Sequence, residues 1–118
     1  MASPFNYCEL HTTDAKKARA FYSGLFDWKL KPIDVPGREY HEIDTGEGFP
    51  GGLTNAMFEG ISGWLTYVRV DDCQTSTQKA RELGAQVVRD CIEIPDGTFS
   101  VLRDPLGAPV GIFQPRKR

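Results

Sequence analysis

The sequence predicts an α+β fold in which two βαβββ modules form a curved, barrel-like mixed sheet with helices outside. The first observation is an internal repeat. One helical stretch runs from Asp14 to Leu25 and another from Asp72 to Leu83, and both starts and ends are 58 residues apart. The second observation is the alternation of apolar and polar residues before and after each helical stretch, which is typical of strands. Such a repeat marks equivalent positions in the two halves.

The first module is predicted to contain one strand, one helix and three further strands. In order, these elements cover residues 5–12, 15–23, 28–33, 39–44 and 52–55. Thr13 is the expected N-cap, and Asp14 suits the first turn, where a carboxylate meets the positive end of the helix dipole. An apolar stripe at i, i+3 and i+4 indicates the buried helix face. Gly24 is expected to end the helix.

The second module repeats this order after a short connector. Its predicted elements cover residues 64–70, 75–83, 86–94, 98–103 and 109–114. Gly84 ends the second helix, and Pro95-Asp96-Gly97 is a turn sequence. We therefore expect a single domain, 1–118, with modules at about 4–55 and 63–115 joined by connector 56–62.

Composition and charge exclude several classes of function. Hydrophobic residues make up 40% of the chain, charged residues make up 25%, and the net charge is −2. These are ordinary globular values that predict no nucleic-acid or membrane partner. No apolar run approaches the roughly 18 residues of a membrane helix, and the N-terminus lacks a signal-peptide pattern. The three cysteines have no metal-like spacing, so we expect reduced thiols in a cytoplasmic protein.

One face of the two opening strands is too polar for a closed core and too aromatic for a plain surface. Since strand side chains alternate, this face carries Tyr7, Glu9, His11, Tyr67 and Arg69. The opposite face is largely apolar, as packing against the helices requires. A concave, partly wet cavity between the modules is therefore predicted, and such clefts are the usual place for a small ligand.

Three segments resemble a known superfamily, the vicinal oxygen chelate proteins. These are AFYSGLFDW at 20–28, DPLGA at 104–108 and VDD at 70–72. The superfamily includes glyoxalase I, the extradiol dioxygenases and the bleomycin resistance proteins, and the resemblance covers nearly the whole chain. It implies the paired βαβββ fold and a small-molecule ligand.

The resemblance also implies where a metal would be held. In the metal-dependent members, His or Glu side chains bind a divalent cation from four equivalent places, which correspond here to Tyr7, Gly52, Leu65 and Gly111. A divalent cation needs imidazole, carboxylate or thiolate donors, and this set supplies none of them. We expect no metal and no cofactor.

Gly52 and Gly111 lie in the last strand of each module, here called the closing strands, which face the predicted cavity. Because glycine has no side chain, both positions leave space there. Glycine in a strand often marks the close approach of a ligand or another backbone, so the space could take an organic ligand. The alternative is that Tyr7, Leu65 and their neighbours fill the space. The predicted ligand-binding residues are Tyr7, Glu9, His11, Gly52, Leu65, Tyr67, Arg69, Gly111 and Phe113.

Glu9 and His11 are the main candidates for chemistry. They lie two apart on one strand, and Arg69 is equivalent to His11 in the second module, so a Glu–Arg or Glu–His pair across the module interface is expected. Either His11 acts as a general base oriented by Glu9, or the group is a buried ion-pair network that supports the fold. Tyr7 is a further catalytic candidate. His41 could point into the same cavity, or it could be a strand residue with one exposed edge.

Three functions remain open from the sequence. The first is a metal-independent small-molecule-binding protein. The resemblance to the resistance-type members, which bind ligand between two subunits, implies a homodimer. The second is a divergent glyoxalase-like lyase or isomerase, or a dioxygenase-type enzyme, that uses Glu9, His11 or Tyr7. The third is a component that acts only with a partner protein.

Overall fold

The chain has the predicted α+β organisation, with the order βαβββ occurring twice. The computed structural model describes residues 2–55, 58 and 60–116. Its elements are β1 (Phe5–Thr12), α1 (Ala15–Leu25), β2 (Lys29–Val35), β3 (Arg38–Asp44), β4 (Gly51–Asn55), β5 (Gly63–Arg69), α2 (Cys73–Glu82), β6 (Gln86–Ile94), β7 (Gly97–Arg103) and β8 (Pro109–Pro115). The chain divides into two compact units, here the first unit (Tyr7–Leu65) and the second unit (Met1–Asn6 with Thr66–Arg118).

In the first unit the strands lie in the order β2-β3-β4-β1. β1 and β4 run parallel, and Glu9 lies opposite Gly52. β3 pairs antiparallel with both β2 and β4. The core on the helix side is formed by Leu10, Ala15, Ile43 and Leu53. Leu10 thus faces the helix, as the alternation predicted, which leaves Glu9 and His11 on the other face of β1.

The second unit repeats this arrangement, with the strand order β5-β8-β7-β6. β5 and β8 run parallel, and Tyr67 lies opposite Gly111. Its core contains Cys73, Leu102 and Ile112. Glu9 and Tyr67 are equivalent in the repeat, and each faces a closing-strand glycine, so the two modules share the same register.

The ends of helix α1 differ from the prediction. Asp14, not Thr13, is the N-cap, and its carboxylate accepts a hydrogen bond of 3.0 Å from the Lys17 amide. Gly24 lies inside the helix, so the prediction that it ends the helix was wrong. The Phe26 amide closes the last turn by donating to the Tyr22 carbonyl at 2.9 Å. The apolar residues beyond Gly24 extend the helical pattern, and the Phe26 ring stacks beside that of Tyr22.

Helix α2 begins earlier than the sequence indicated, with Asp72 as its N-cap. The Asp72 carboxylate accepts from the Thr75 amide at 2.9 Å. Gly84 follows the helix with φ +99°, the left-handed conformation expected of a glycine that ends a helix. Among the described residues, neither helix has the length and apolar character needed to cross a membrane.

Candidate functional site

A chain of hydrogen bonds in the first unit joins two tyrosines to a buried carboxylate. β1 presents Tyr7 and Glu9 on one face, and β3 contributes Tyr40. The Tyr7 and Tyr40 hydroxyl oxygens are 2.5 Å apart. The Tyr40 hydroxyl donates to Glu9 Oε2 at 2.6 Å. Glu9 is only 7% exposed, whereas Tyr7 and Tyr40 are half-buried.

The direction of these hydrogen bonds follows from the electrostatics of Tyr40. Burial, together with the neighbouring Glu9 carboxylate and the Tyr7 hydroxyl, raises the pKa of Tyr40 well above its usual range. Tyr40 therefore keeps its proton and donates it to Glu9, which leaves its oxygen to accept from Tyr7. The resulting order of donors is Tyr7 to Tyr40 to Glu9.

His11 extends the group on its buried side. Its ring is 1% exposed, and Nε2 lies 2.8 Å from Glu9 Oε1. This contact is an ion pair when the imidazole is protonated, but it lacks the alignment of a hydrogen bond. Nδ1 is buried and has no hydrogen-bond partner among the residues the structure describes. The Phe58 ring packs 5.2 Å from the imidazole, centroid to centroid.

Glu9 and His11 are therefore in contact within one strand of the first unit. A pair across the module interface, with Arg69, stays a prediction. In its own unit, Arg69 is exposed and its amide donates to the Pro4 carbonyl at 2.9 Å. Within residues 2–55, 58 and 60–116, no three His, Cys, Asp or Glu side chains form a group that could hold a metal ion.

Tyrosine side chains occupy the space in front of both closing-strand glycines. A Cβ on Gly52 would meet the hydroxyls of Tyr40 and Tyr7, and it would lie 2.7 Å from Tyr40 Cζ. A Cβ on Gly111 would meet the ring of Tyr67, at 2.8 Å from its Cγ. At these two points, side chains fill the space that the sequence could also have assigned to a ligand.

The remaining predicted ligand-binding residues are buried or half-buried. Leu65, at the end of the first unit, is completely buried, and Tyr67 is 6% exposed. The Tyr67 ring packs edge-on against Phe99, at 6.1 Å between centroids. Phe113 is half-buried and lies opposite Phe99 in the pairing of β7 with β8. Their part in binding a ligand stays a prediction.

The sequence reasoning missed Tyr40, which holds the network together. The alternation of β3 separates Tyr40 from His41, but the contact with Glu9 depends on the order β3-β4-β1. His41 lies on the other face, with Nε2 at 2.8 Å from Glu39 Oε2, while Arg19 Nε lies 3.1 Å from the same oxygen. His41 therefore does not join the Glu9 network. At 7% exposed, it is not a strand residue with a solvent-facing edge either.

A separate apolar pocket of about 420 Å³ lies on the opposite face of β1. It is bounded by Cys8 and Gly51 and by three aromatic side chains, Trp28, Phe49 and Trp64. The two tryptophan rings meet edge-on at 6.1 Å. Large exposed hydrophobic side chains of the first unit continue this surface, which we call the aromatic face: Phe21, Leu25, Phe26, Phe49 and Trp64.

Comparison with known proteins shows the family of this chain. The model of the family described as "Glyoxalase-like domain" matches residues 8–113. The chain belongs to this family. The predicted membership of the vicinal oxygen chelate superfamily is thereby confirmed.

Curated relatives are longer than this chain. The "Putative glyoxylase CFP32" of Mycobacterium bovis is 34% identical over 116 residues, which cover 92% of this chain and 44% of that protein. The "Anthracycline biosynthesis protein DauV" of Streptomyces is 28% identical, covering 94% of this chain and 41% of that protein. The chain therefore spans less than half the length of the curated relatives it matches.

Solved structures share the fold at low sequence identity. A hypothetical protein from Bacillus halodurans matches with a TM-score of 0.75 and 18% identity, covering 100% of this chain and 98% of that chain. Methylmalonyl-CoA epimerase from Mycobacterium tuberculosis matches with a TM-score of 0.68 and 14% identity, covering 96% and 88%. At such identities the likeness shows the fold alone.

The metal implied by the metal-dependent members of the superfamily does not fit the residues present. Of the four places that the resemblance assigns to ligands, Gly52 and Gly111 have no side chain, and Leu65 is aliphatic. Tyr7 uses its hydroxyl in the hydrogen bond to Tyr40. A ligating side chain could not replace Gly52 without displacing the two tyrosine hydroxyls.

Proposed function

We propose that this protein is a metal-independent small-molecule-binding member of the glyoxalase-like family, with the Tyr7–Tyr40–Glu9 network as the polar part of its site. One observation carries the proposal. Where relatives that bind metal would present ligating side chains, this chain has Tyr7 and Gly52, and two tyrosine hydroxyls lie in front of that glycine. Hydrogen-bonding groups thus take the place of metal ligands.

The network favours a ligand that carries a hydrogen-bonding polar group. Tyr7 is half-buried and is the first member of the donor chain. Because its one proton is donated to Tyr40, its oxygen accepts a hydrogen bond from the ligand. The Glu9 carboxylate behind it holds Tyr40 in place and attracts a ligand donor such as an amine, amide or hydroxyl. Partial burial strengthens these hydrogen bonds relative to those formed in water.

A thermal-shift screen of small organic compounds tests the proposal. It uses the complete chain in the presence of a chelator, and calorimetry then measures the affinity of each compound that raises the melting temperature. We expect stabilising compounds to bind without added metal and to lose roughly tenfold or more in affinity in Glu9→Gln and Tyr7→Phe. Glu93→Gln is the matched control, since Glu93 is an exposed carboxylate on β6 of the second unit.

Two outcomes would count against the proposal. One is binding that appears only when a divalent cation is added. The other is a set of binders whose affinities are unchanged in both Glu9→Gln and Tyr7→Phe while circular dichroism shows both variants folded.

A second candidate, an enzyme of the glyoxalase kind, is favoured by the Glu9–His11 contact and by the relative named a glyoxylase. In that case Glu9 or His11 transfers a proton to or from a bound substrate, and neutral Tyr40 donates a hydrogen bond to Glu9. Glu9→Gln and His11→Ala would then abolish turnover of a substrate while leaving its binding largely intact. Loss of binding together with a lower melting temperature, with no turnover found, would favour the structural network instead.

The aromatic face supports the further proposal of a homodimer. Phe21, Leu25, Phe26, Phe49 and Trp64 are each at least 40% exposed in the first unit. Contiguous apolar surface of this kind usually marks a protein interface, and aromatic residues are enriched at interface cores. A second copy of this chain is the occupant we propose, by analogy with the resistance-type members.

A further inference from the structure

A cluster of two thiols and two hydroxyls lies in the second unit and shares no residue with the Tyr7–Tyr40–Glu9 network. Cys73 begins α2, Thr77 lies one turn later, Ser100 lies on β7 and Cys91 lies on β6. Cys73, Thr77 and Ser100 are almost completely buried, and Cys91 is half-buried. All three cysteines of the chain are free thiols in the structure.

The two hydroxyls bring the two sulfur atoms into one group. Ser100 Oγ lies 3.3 Å from Cys73 Sγ and 3.7 Å from Cys91 Sγ. Thr77 Oγ1 lies 3.9 Å from Cys73 Sγ and 3.7 Å from Cys91 Sγ. The hydroxyls are themselves hydrogen-bonded at 2.7 Å. Both sulfur atoms therefore lie within 4 Å of the same two hydroxyl oxygens.

The backbone of β6 directs Cys91 into this cluster. The pairing of β6 with β7 shifts register between Arg89 and Ile92, and Cys91 adopts φ +49°. Cys91 is the one described non-glycine residue in the left-handed region, which residues with side chains rarely adopt. A bulge re-aims a side chain, and here the Cys91 amide also donates to Ser100 Oγ at 2.9 Å.

We propose that Cys73 and Cys91 form a reversible intramolecular disulfide that links the first turn of α2 to the bulge of β6. The oxidant is a low-molecular-weight disulfide. The Cys91 thiolate attacks one sulfur of the small disulfide, forms a mixed disulfide and releases one small thiolate. The Cys73 sulfur then attacks Cys91 Sγ, which forms the protein disulfide and releases the second small thiolate. The two cysteine protons go to the released thiolates, and the small disulfide gains the two electrons.

Exposure decides the order of attack. Cys91 is half-buried, whereas Cys73 is fully buried. Burial raises the pKa of the Cys73 thiol, while its hydrogen bonds to Ser100 and Thr77 favour the thiolate. Cys91 is therefore the entry point and Cys73 the resolving thiol. This inference is independent of the proposed ligand-binding function.

Mass spectrometry of the complete chain in redox buffers of oxidised and reduced glutathione tests the proposal. Samples are equilibrated, alkylated and measured as intact protein and as proteolytic peptides. We expect the loss of two hydrogens with a Cys73–Cys91 cross-linked peptide, reversed by dithiothreitol. The oxidised form should also melt several degrees higher, because a cross-link restricts the unfolded chain.

Three variants make the test specific. Cys8→Ser removes the thiol of the first unit and should leave the disulfide unchanged. Cys73→Ser should accumulate a mixed disulfide with glutathione on Cys91, because the resolving thiol is gone. Cys91→Ser should form no intramolecular disulfide. Because position 91 is more exposed than position 73, this variant provides the test if Cys73→Ser does not fold.

The proposal is overturned if the wild-type chain retains both thiols under the most oxidising buffer, or if it ends with glutathione on Cys91 and no cross-link. Pairing of either cysteine with Cys8, or a cross-link that persists in Cys91→Ser, would overturn it as well.

Discussion

At Gly52 and Gly111, glycine is required by the aromatic rings that pack against the backbone. The shared geometry of the two modules places Glu9 opposite Gly52 and Tyr67 opposite Gly111, so each site joins an opening strand to a closing strand. The sequence identified both glycines as exceptional. It could not tell a ligand from a tyrosine, because the Tyr40 hydroxyl reaches Gly52 only through the pairing of β3 with β4.

Replacing Gly52 with alanine is expected to destabilise the protein by about 1–3 kcal/mol, because the new Cβ displaces the hydroxyls of Tyr7 and Tyr40. Gly24→Ala is the matched control. Gly24 lies inside α1, and a Cβ added there would have nothing within 4 Å, so alanine should stabilise the protein by about 0.5–1 kcal/mol. Urea unfolding measures both changes. A Gly52→Ala protein as stable as the wild type would contradict the packing described.

The Glu39 carboxylate makes the stability of the protein depend on pH in the acid range. A hydrogen bond from His41, and then the charge of Arg19, lowers the pKa of Glu39 below its ordinary value of 4.5. A carboxylate with a lowered folded-state pKa contributes stability above the unfolded-state value and loses it as the pH falls through the folded-state value. The contribution of Glu39 to the stability of the fold should therefore be complete above pH 4.5 and should decline as the pH falls below this value.

Urea unfolding of wild type and Glu39→Gln from neutral to acid pH tests this expectation. The difference in unfolding free energy between the two proteins should shrink as the pH falls below 4.5. Glu42→Gln controls for the loss of a strand carboxylate. A difference between wild type and Glu39→Gln that stays constant through the acid range would show that Glu39 has no altered pKa.

At the scale of the elements, each helix begins at an aspartate that caps it, and the caps are equivalent in the repeat. The Asp14 carboxylate accepts from Lys17 and the Asp72 carboxylate accepts from Thr75, so each satisfies an amide that the helix leaves unpaired. The sequence marked both aspartates but assigned the first cap to Thr13. A threonine and an aspartate in succession both suit a cap, and only the backbone angles decide between them.

Asp14→Ala should lower the unfolding free energy by about 1 kcal/mol, because the Lys17 amide loses its acceptor. Asp27→Ala removes a carboxylate of equal charge from an exposed position after the helix and should have little effect. Thermal unfolding of the two variants provides the measurement. Equal destabilisation by both would indicate a general charge effect instead of a cap.

At the scale of the whole molecule, the exposed aromatic face is the basis for the proposed homodimer. The first unit exposes aromatic rings around a pocket of about 420 Å³, in excess of the single exposed hydrophobic residues that are normal on a monomer. Burying these rings against a second copy would remove them from water and supply the main driving force for association.

Sedimentation equilibrium should therefore show a dimer for the wild-type chain. Phe21→Glu should weaken dimerisation roughly tenfold or more by placing a charge in the interface. Phe21 is 60% exposed, so the change should not disturb the monomer. Leu106→Glu is the control, since Leu106 is 96% exposed in a turn of the second unit. A wild-type monomer, or dimerisation that Phe21→Glu leaves unchanged, would contradict the proposal.

The resemblance to the superfamily indicated four places that lack ligating side chains. The sequence by itself determined the order of the elements and the internal repeat. These depend on local periodicity and residue chemistry, which a linear chain displays directly. Only the tertiary structure decided that Tyr40 reaches Glu9, that Arg19 joins His41 at Glu39, and that Cys73 and Cys91 share Ser100 and Thr77. Each of these groups joins residues distant in the chain, and strand order and register, not local sequence, bring them together.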